Sequence, residues 1–186
     1  MKNQFRVRGD VTIIYLMKRN KTALQCLIDT EDLEKVGAVP GSWYANWEHH
    51  TKCFRAQTNI KIDGHIKTIR MHRLIMDDPD GLVIDHINHN LLDNRKANLR
   101  LATTSENMQN LKSPPSNNSS GALNVRWDKF NRKWIASLVV NGKEYSKRSD
   151  HKNTAIKYAK ILRRDLMPFS QEAMMANKKR AKKAQM

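Results

Sequence analysis

Two cysteines in 186 residues cannot build a disulfide framework, and Cys26 and Cys53 are not spaced as the paired cysteines of a zinc knuckle. A reducing, cytoplasmic setting is expected from that scarcity. Long apolar runs are missing as well. The stretch "VTIIYLM" at 11–17 falls far short of the roughly 20 residues that a membrane span needs, and no signal-peptide pattern precedes it. No membrane partner is therefore expected. Acidic residues are the third shortage. Only 18 stand against 34 lysines and arginines, giving a formal charge of +16. So large an excess repels itself in a compact state unless a polyanion shares the surface. Nucleic acid is the expected partner.

The excess is uneven. Residues 1–120 carry 17 basic and 13 acidic side chains, whereas residues 121–167 carry 12 and 4, and residues 168–186 carry 5 and 1. That asymmetry predicts a nucleic-acid-binding module placed after a less basic one. Between them runs "SPPSNNSSG", without an apolar side chain except proline. It predicts a tether at 113–120 separating an N-terminal region, 1–112, from a module at 121–167 and a basic tail at 168–186.

"VTIIYLM" and "TALQCLI" read as strands with "KRNK" turning between them, and "DTEDLEKVG" as a short helix capped by Asp29 or Thr30 and stopped at Gly37. "SWYANWEHH", "KCFRAQTNIKI" and "HIKTIRMHRL" read as further strands, the last two joined by a hairpin at Asp63–Gly64. Past the tether, "ALNVRW", "KWIASLVV" and "KEYSKRS" read as three strands, with Asn141–Gly142 as a hairpin turn. Apolar residues at 155, 156, 159, 162 and 166 then mark an amphipathic helix. The end, "NKKRAKKAQM", reads as mobile. The fold class expected is α+β, β-rich at the N-terminus.

One cluster lies outside this scaffolding logic. "VIDHINHN" at 83–90 puts an acid, two histidines and two asparagines behind a strand-like lead-in, in a motif spanning 82–111. A lone Asp-His pair is commonly a capped turn. Here Leu82–Ile87 and Leu99–Ala102 read as strands and Thr104–Leu111 as a helix, which would bring Asp85, His86, Asn98 and Asn107 together. Phosphodiester hydrolysis needs a base to deprotonate water and a hard cation to stabilise charge on the phosphate and the leaving 3′ oxygen. Histidine suits the first role near neutral pH. A carboxylate and an amide oxygen suit Mg²⁺, which keeps several waters. Adjacent strand residues face opposite ways, so Asp85 and His86 can share a site only if the strand bends or ends there.

Asn98 twelve residues after His86, and Asn107 nine residues further, resemble the HNH nuclease motif of the ββα-metal fold. With "MHRLIM" before it and "NRKANLRLATTSEN" within it, the segment is similar to the phage and intron-encoded HNH homing endonucleases over about residues 50–112. The resemblance implies Asp85 and Asn107 as ligands of Mg²⁺ or Mn²⁺, and His86 as general base. It also implies Asn98 as the residue that fixes the loop and orients that base. Where the family's loop usually carries glycine, this chain has His89. His72 and Arg73 would brace the motif or touch DNA, His49 and His50 read as solvated, Asn94 as a turn residue, and the cysteines as core.

Residues 121–167 resemble the AP2-type DNA-binding domain, a three-stranded sheet backed by one helix, although the usual glycine after the third strand is absent. That resemblance implies Arg126, Lys129, Arg132, Lys147 and Arg148 on DNA phosphates or guanine edges, with Trp127 and Trp134 on sugars or in the core. The combined expectation is a monomeric, site-specific endonuclease that nicks double-stranded DNA inside a bacterial or phage-infected cell. The alternatives are a non-catalytic DNA-binding regulator and an RNA-binding accessory protein.

Overall fold

The computed structural model describes residues 1–17, 23–49 and 51–184, so the "KRNK" turn and His50 lie outside the described residues. The chain is mixed α and β, and it divides into two compact units, Met1–Thr103 and Thr104–Met186. No helix among the described residues is long and apolar enough to cross a membrane.

The first unit is built on six strands: β1 (Phe5–Arg8), β2 (Val11–Met17), β3 (Ala23–Asp29), β4 (Tyr44–Glu48), β5 (Cys53–Ile62) and β6 (His65–Arg70). Their order is β1-β2-β4-β5-β6, with β3 also paired to β2. The Asp63–Gly64 turn takes positive φ at both residues (48° and 80°), as a two-residue hairpin between right-twisted strands requires. Ile14, Leu16, Cys26, Ile28, Val36, Trp43 and Met71 close one buried cluster.

Two readings change here. The helix expected to stop at Gly37 is a 3-10 turn, Thr30–Asp32, followed by α1 (Leu33–Ala38), which runs through Gly37. Asp29 makes no cap. Its carboxylate accepts from the backbone N–H of Lys96 at 2.7 Å instead. "HIKTIRMHRL" is not one strand either, because β6 ends at Arg70 and α2 (Met71–Ile75) takes over. Met71, His72 and Ile75 are buried together, whereas a strand would turn the adjacent Met71 and His72 to opposite faces.

Beside this sheet lies a two-stranded ribbon, β7 (Val83–His86) against β8 (Leu99–Ala102). Strand β3 holds the connection between them. Leu27 N–H donates to Leu92 O and Asn94 N–H to Leu27 O, both at 2.8 Å, forming a parallel bridge at Leu27 and Asp93. Residues 23–32 therefore serve as the wall on which the β7–β8 loop is mounted.

The second unit holds α3 (Thr104–Gln109), an antiparallel sheet of β9 (Val125–Asp128), β10 (Lys133–Val140) and β11 (Lys143–Ser149), then α4 (Lys152–Leu166) and α5 (Gln171–Ala184). β10 is central, and Asn141–Gly142 turns with positive φ at both residues. Ala155 and Ala159 of α4 are small enough for the helix to settle closely on Val125 and Ala136. Arg163 is buried but fully employed. Its guanidinium donates to Glu172 at 2.9 Å, Asn124 at 3.1 Å and the Gln109 carbonyl at 2.8 Å, tying α3, the entry to β9 and α5 to α4. Within 113–120, Asn118 accepts from the backbone N–H groups of Ser120 and Gly121 at 2.9 Å, closing a turn before the sheet. Of the end read as mobile, residues 177–184 belong to α5 and the last two lie outside the described residues. Ser170 begins that helix, its Oγ accepting from Ala173 N–H, and alanine and lysine, both strong helix formers, continue it.

Candidate active site

β7 ends at His86, the condition for Asp85 and His86 to serve one site. The register sets Asp85 directly opposite Arg100, and His86 opposite Leu99. Directly opposed residues of an antiparallel pair share a face. Accordingly the Arg100 guanidinium donates twice to Asp85 Oδ2, at 2.9 and 2.6 Å. Both Asp85 and His86 are buried, at 8% and 3% exposure.

His86 lies against the other side, toward α2. Its Nε2 is 3.2 Å from Asn94 Oδ1, while Asn94 Nδ2 donates to Cys26 Sγ at 3.1 Å. Because that amide oxygen can only accept, Nε2 carries the proton and Nδ1 the lone pair in the neutral ring. Burial pushes the His86 pKa down to about 4, against the upward pull of the Asn94 bond, so the imidazole is neutral at pH 7. The ring meets His72 edge-on, with centroids 5.2 Å apart. Arg55 Nη1 stands 3.2 Å from His72 Nε2. Arginine has only donors, so His72 keeps its proton on Nδ1, a buried atom with no hydrogen-bond partner. Burial first, then the neighbouring His86 and arginines, drives the His72 pKa down to about 2.

The loop between the strands is held from inside. Asn98 Oδ1 accepts from Asn88 N–H at 3.0 Å, and its Nδ2 donates to the Asp93 carbonyl at 2.8 Å. Asp93 is clamped by Arg95 at 2.7 and 2.8 Å and by Asn88 at 2.9 Å, which together hold its carboxyl below the usual range against the cost of burial. His89 adopts φ +62°, the left-handed conformation that glycine takes readily, so the loop keeps a glycine-type backbone without the glycine.

Of the residues singled out from sequence, Asp85, His86 and Asn98 converge on this ribbon. Asn107 is half-buried on α3, in the second unit. His72 is 3% exposed, inside the first unit. Arg73 donates to Asp78 at 2.6 Å and to the Leu82 carbonyl at 3.2 Å, bracing the chain that enters β7. On the second unit, the register sets Arg126 and Arg148 on either side of Ile135, on one face of the sheet. Trp127, Trp134 and Lys147 share the α4 face: the two tryptophan rings lie 5.0 Å apart and Lys147 stands over Tyr158. Lys129 and Arg132 are exposed in the β9–β10 turn, and His49 is exposed on the first unit. Cys26 is core, whereas Cys53 is half-buried. Sequence reasoning missed Arg100, which register alone identifies once the two strands are known. It also missed Asn94, read as a turn residue but fully buried against His86.

Asp85 offers a carboxylate, the donor type a hard divalent cation prefers, with Arg100 on its Oδ2. Among the described residues no group of three or more His, Cys, Asp or Glu is gathered to hold a metal ion.

A family model described as HNH endonuclease matches residues 78–109, the stretch that holds β7, the loop, β8 and α3. Protein 3.8 of Escherichia phage T7 is similar to the chain, 41% identical over 71 residues, which cover 38% of this chain and 58% of that protein. The chain thus spans little more than half the length of the curated relative it matches. No solved structure matches it. The ribbon carrying Asp85, His86 and Asn98 thus lies within the stretch that the HNH endonuclease model matches, and the chain is similar over part of its length to a phage protein.

Proposed function

We propose that the protein is a metal-dependent DNA endonuclease of the homing type. In this reading its HNH segment cuts one strand of a duplex and an AP2-like second unit anchors it on the site. The observation that carries the reading is His86, held neutral at the end of β7 with Nε2 committed to Asn94 and Asp85 next to it. Nδ1 accepts a proton from water as the water oxygen attacks phosphorus. The P–O3′ bond breaks, leaving a 5′-phosphate on one side and, once the departing oxygen takes a proton from solvent, a 3′-hydroxyl on the other. Asp85 and Asn107 would hold the cation, which when bound supplies positive charge to the phosphate and to the departing oxygen. Asn98 fixes the loop that carries these groups. The three-stranded sheet backed by α4 supports the anchoring role, with exposed Arg126 and Arg148 facing phosphates or guanine edges from the face opposite α4. A chain with one such site acts as a monomer on one strand.

The test is plasmid cleavage in Mg²⁺, Mn²⁺ or EDTA by wild type and His86→Ala. Metal-dependent nicking should fall by about 10²- to 10⁴-fold in the variant, the usual contribution of a general base, while binding persists. Equal cutting by both proteins would place the chemistry elsewhere.

One observation favours a second reading. Arg100 neutralises Asp85 with two hydrogen bonds, as a regulator that bound DNA without cutting it could do in place of a cation. Binding without nicking by the wild type in either metal would select that reading.

A further inference from the structure

Phe130 is 94% exposed at the tip of the hairpin that joins β9 to β10. It is the most exposed large apolar side chain among the described residues, while Val125, Ile135, Ala136 and Leu138 of the same sheet are buried. The sheet does not need it there. The tip is nevertheless stiff. Asp128 Oδ1 accepts from the N–H groups of both Phe130 and Asn131 at 3.1 Å, and Oδ2 accepts from Asn131 Nδ2 at 2.9 Å. Arg132 closes the turn with φ +51°. The acid at the tip is thus absorbed by the turn itself, and Lys133 pairs with Asp150. What faces outward is one aromatic ring between exposed Lys129 and Arg132, with exposed Arg126 on the adjoining strand.

We propose that this tip is a DNA wedge: Lys129 and Arg132 hold phosphates while Phe130 enters the stack between adjacent base pairs. The inference rests on the DNA-binding reading above and adds a mode of engagement to it. Apolar side chains flanked by cations open base steps in this way and bend the duplex. Every base offers an aromatic face, so the contact tolerates sequence, and flexible pyrimidine–purine steps open most readily. A rigid presenting turn matters because the ring must not fold back on binding. The surrounding charge selects a polyanion over a neutral protein surface.

Relaxed closed-circular plasmid, incubated with the protein in EDTA and then with a metal-independent topoisomerase I, reads the wedge directly. Opened base steps unwind the helix and shift the topoisomer distribution once the protein is removed. Wild type should shift it. Phe130→Ala should bind about tenfold more weakly, in line with the loss of one base–aromatic stack, and produce no shift at saturation. Phe130→Trp should restore the shift. Lys129→Ala with Arg132→Ala should weaken binding and flatten its salt dependence, yet shift the distribution normally at saturation. Wild type that binds plasmid without any shift would overturn the wedge alone, as would an equal shift by Phe130→Ala. Failure of wild type to bind plasmid would sink the DNA reading with it. If Phe130→Ala instead loses only binding to phosphatidylserine vesicles, the tip is a lipid contact and the proposal falls.

Discussion

At the scale of single residues, His86 depends on what stands behind it. Its Nε2 meets one amide oxygen, and that amide is held by Cys26 Sγ on the far side. Removing the amide frees the ring to exchange tautomers and takes from Nε2 the oxygen it donates to. Asn94→Ala should therefore lower kcat for plasmid nicking by about 10- to 100-fold, the range typical of partners that orient a functional histidine. DNA affinity should change less than threefold, because Asn94 is fully buried and offers no surface to a phosphate. A matched fall in affinity and kcat would mean that the substitution had only disturbed the fold. Asn94 also marks a limit of reading residues one at a time. In the sequence it is one asparagine in a polar loop, and its burial depends on a cysteine 68 positions earlier.

Elements differ in how far their own residues announce them. The hairpins at Asp63–Gly64 and Asn141–Gly142 were legible because positive φ is a demand of the turn itself, met by residues at the turn. The three strands and α4 of the second unit were legible through apolar spacing. β1 was not: all four of its residues are exposed, so no alternation marks it. α2 has five residues, fewer than a helical period needs to show itself. The β7–β8 loop gives the sharpest prediction at this scale. His89 holds a left-handed conformation that costs an L-residue about 1 kcal/mol relative to glycine. His89→Gly should leave the loop in place and raise stability by up to about 1 kcal/mol in urea titration. Nicking should persist within about threefold. A clear loss of stability would show that the His89 side chain contributes more than its backbone strains.

For the molecule as a whole, acid is the exposed flank. His72 and His86 are buried neutral with pKa values lowered to about 2 and about 4, so the unfolded chain takes up protons that the folded one refuses. Their contribution is intact above the ordinary histidine value near 6.5. It is lost progressively as pH falls from there toward 4, at about 1.4 kcal/mol per pH unit for each histidine. Urea midpoints followed through buried Trp43 should drop steeply between pH 7 and pH 5. The slope should halve in His72→Asn; an unchanged slope would assign the effect to other groups.

Cys26 turns the same packing into a clock. Its thiol is fully buried, with a pKa pushed up to about 12 by desolvation, and its sulfur lies 3.5 Å from Met71 Sδ. A thiol reagent cannot reach it while Asn94 and Met71 stay in place, whereas half-buried Cys53 is open to attack. Labelling should thus run in two phases, and the slow one times how often the backing of His86 comes apart. Read with and without DNA, that interval would report whether DNA tightens the support of His86.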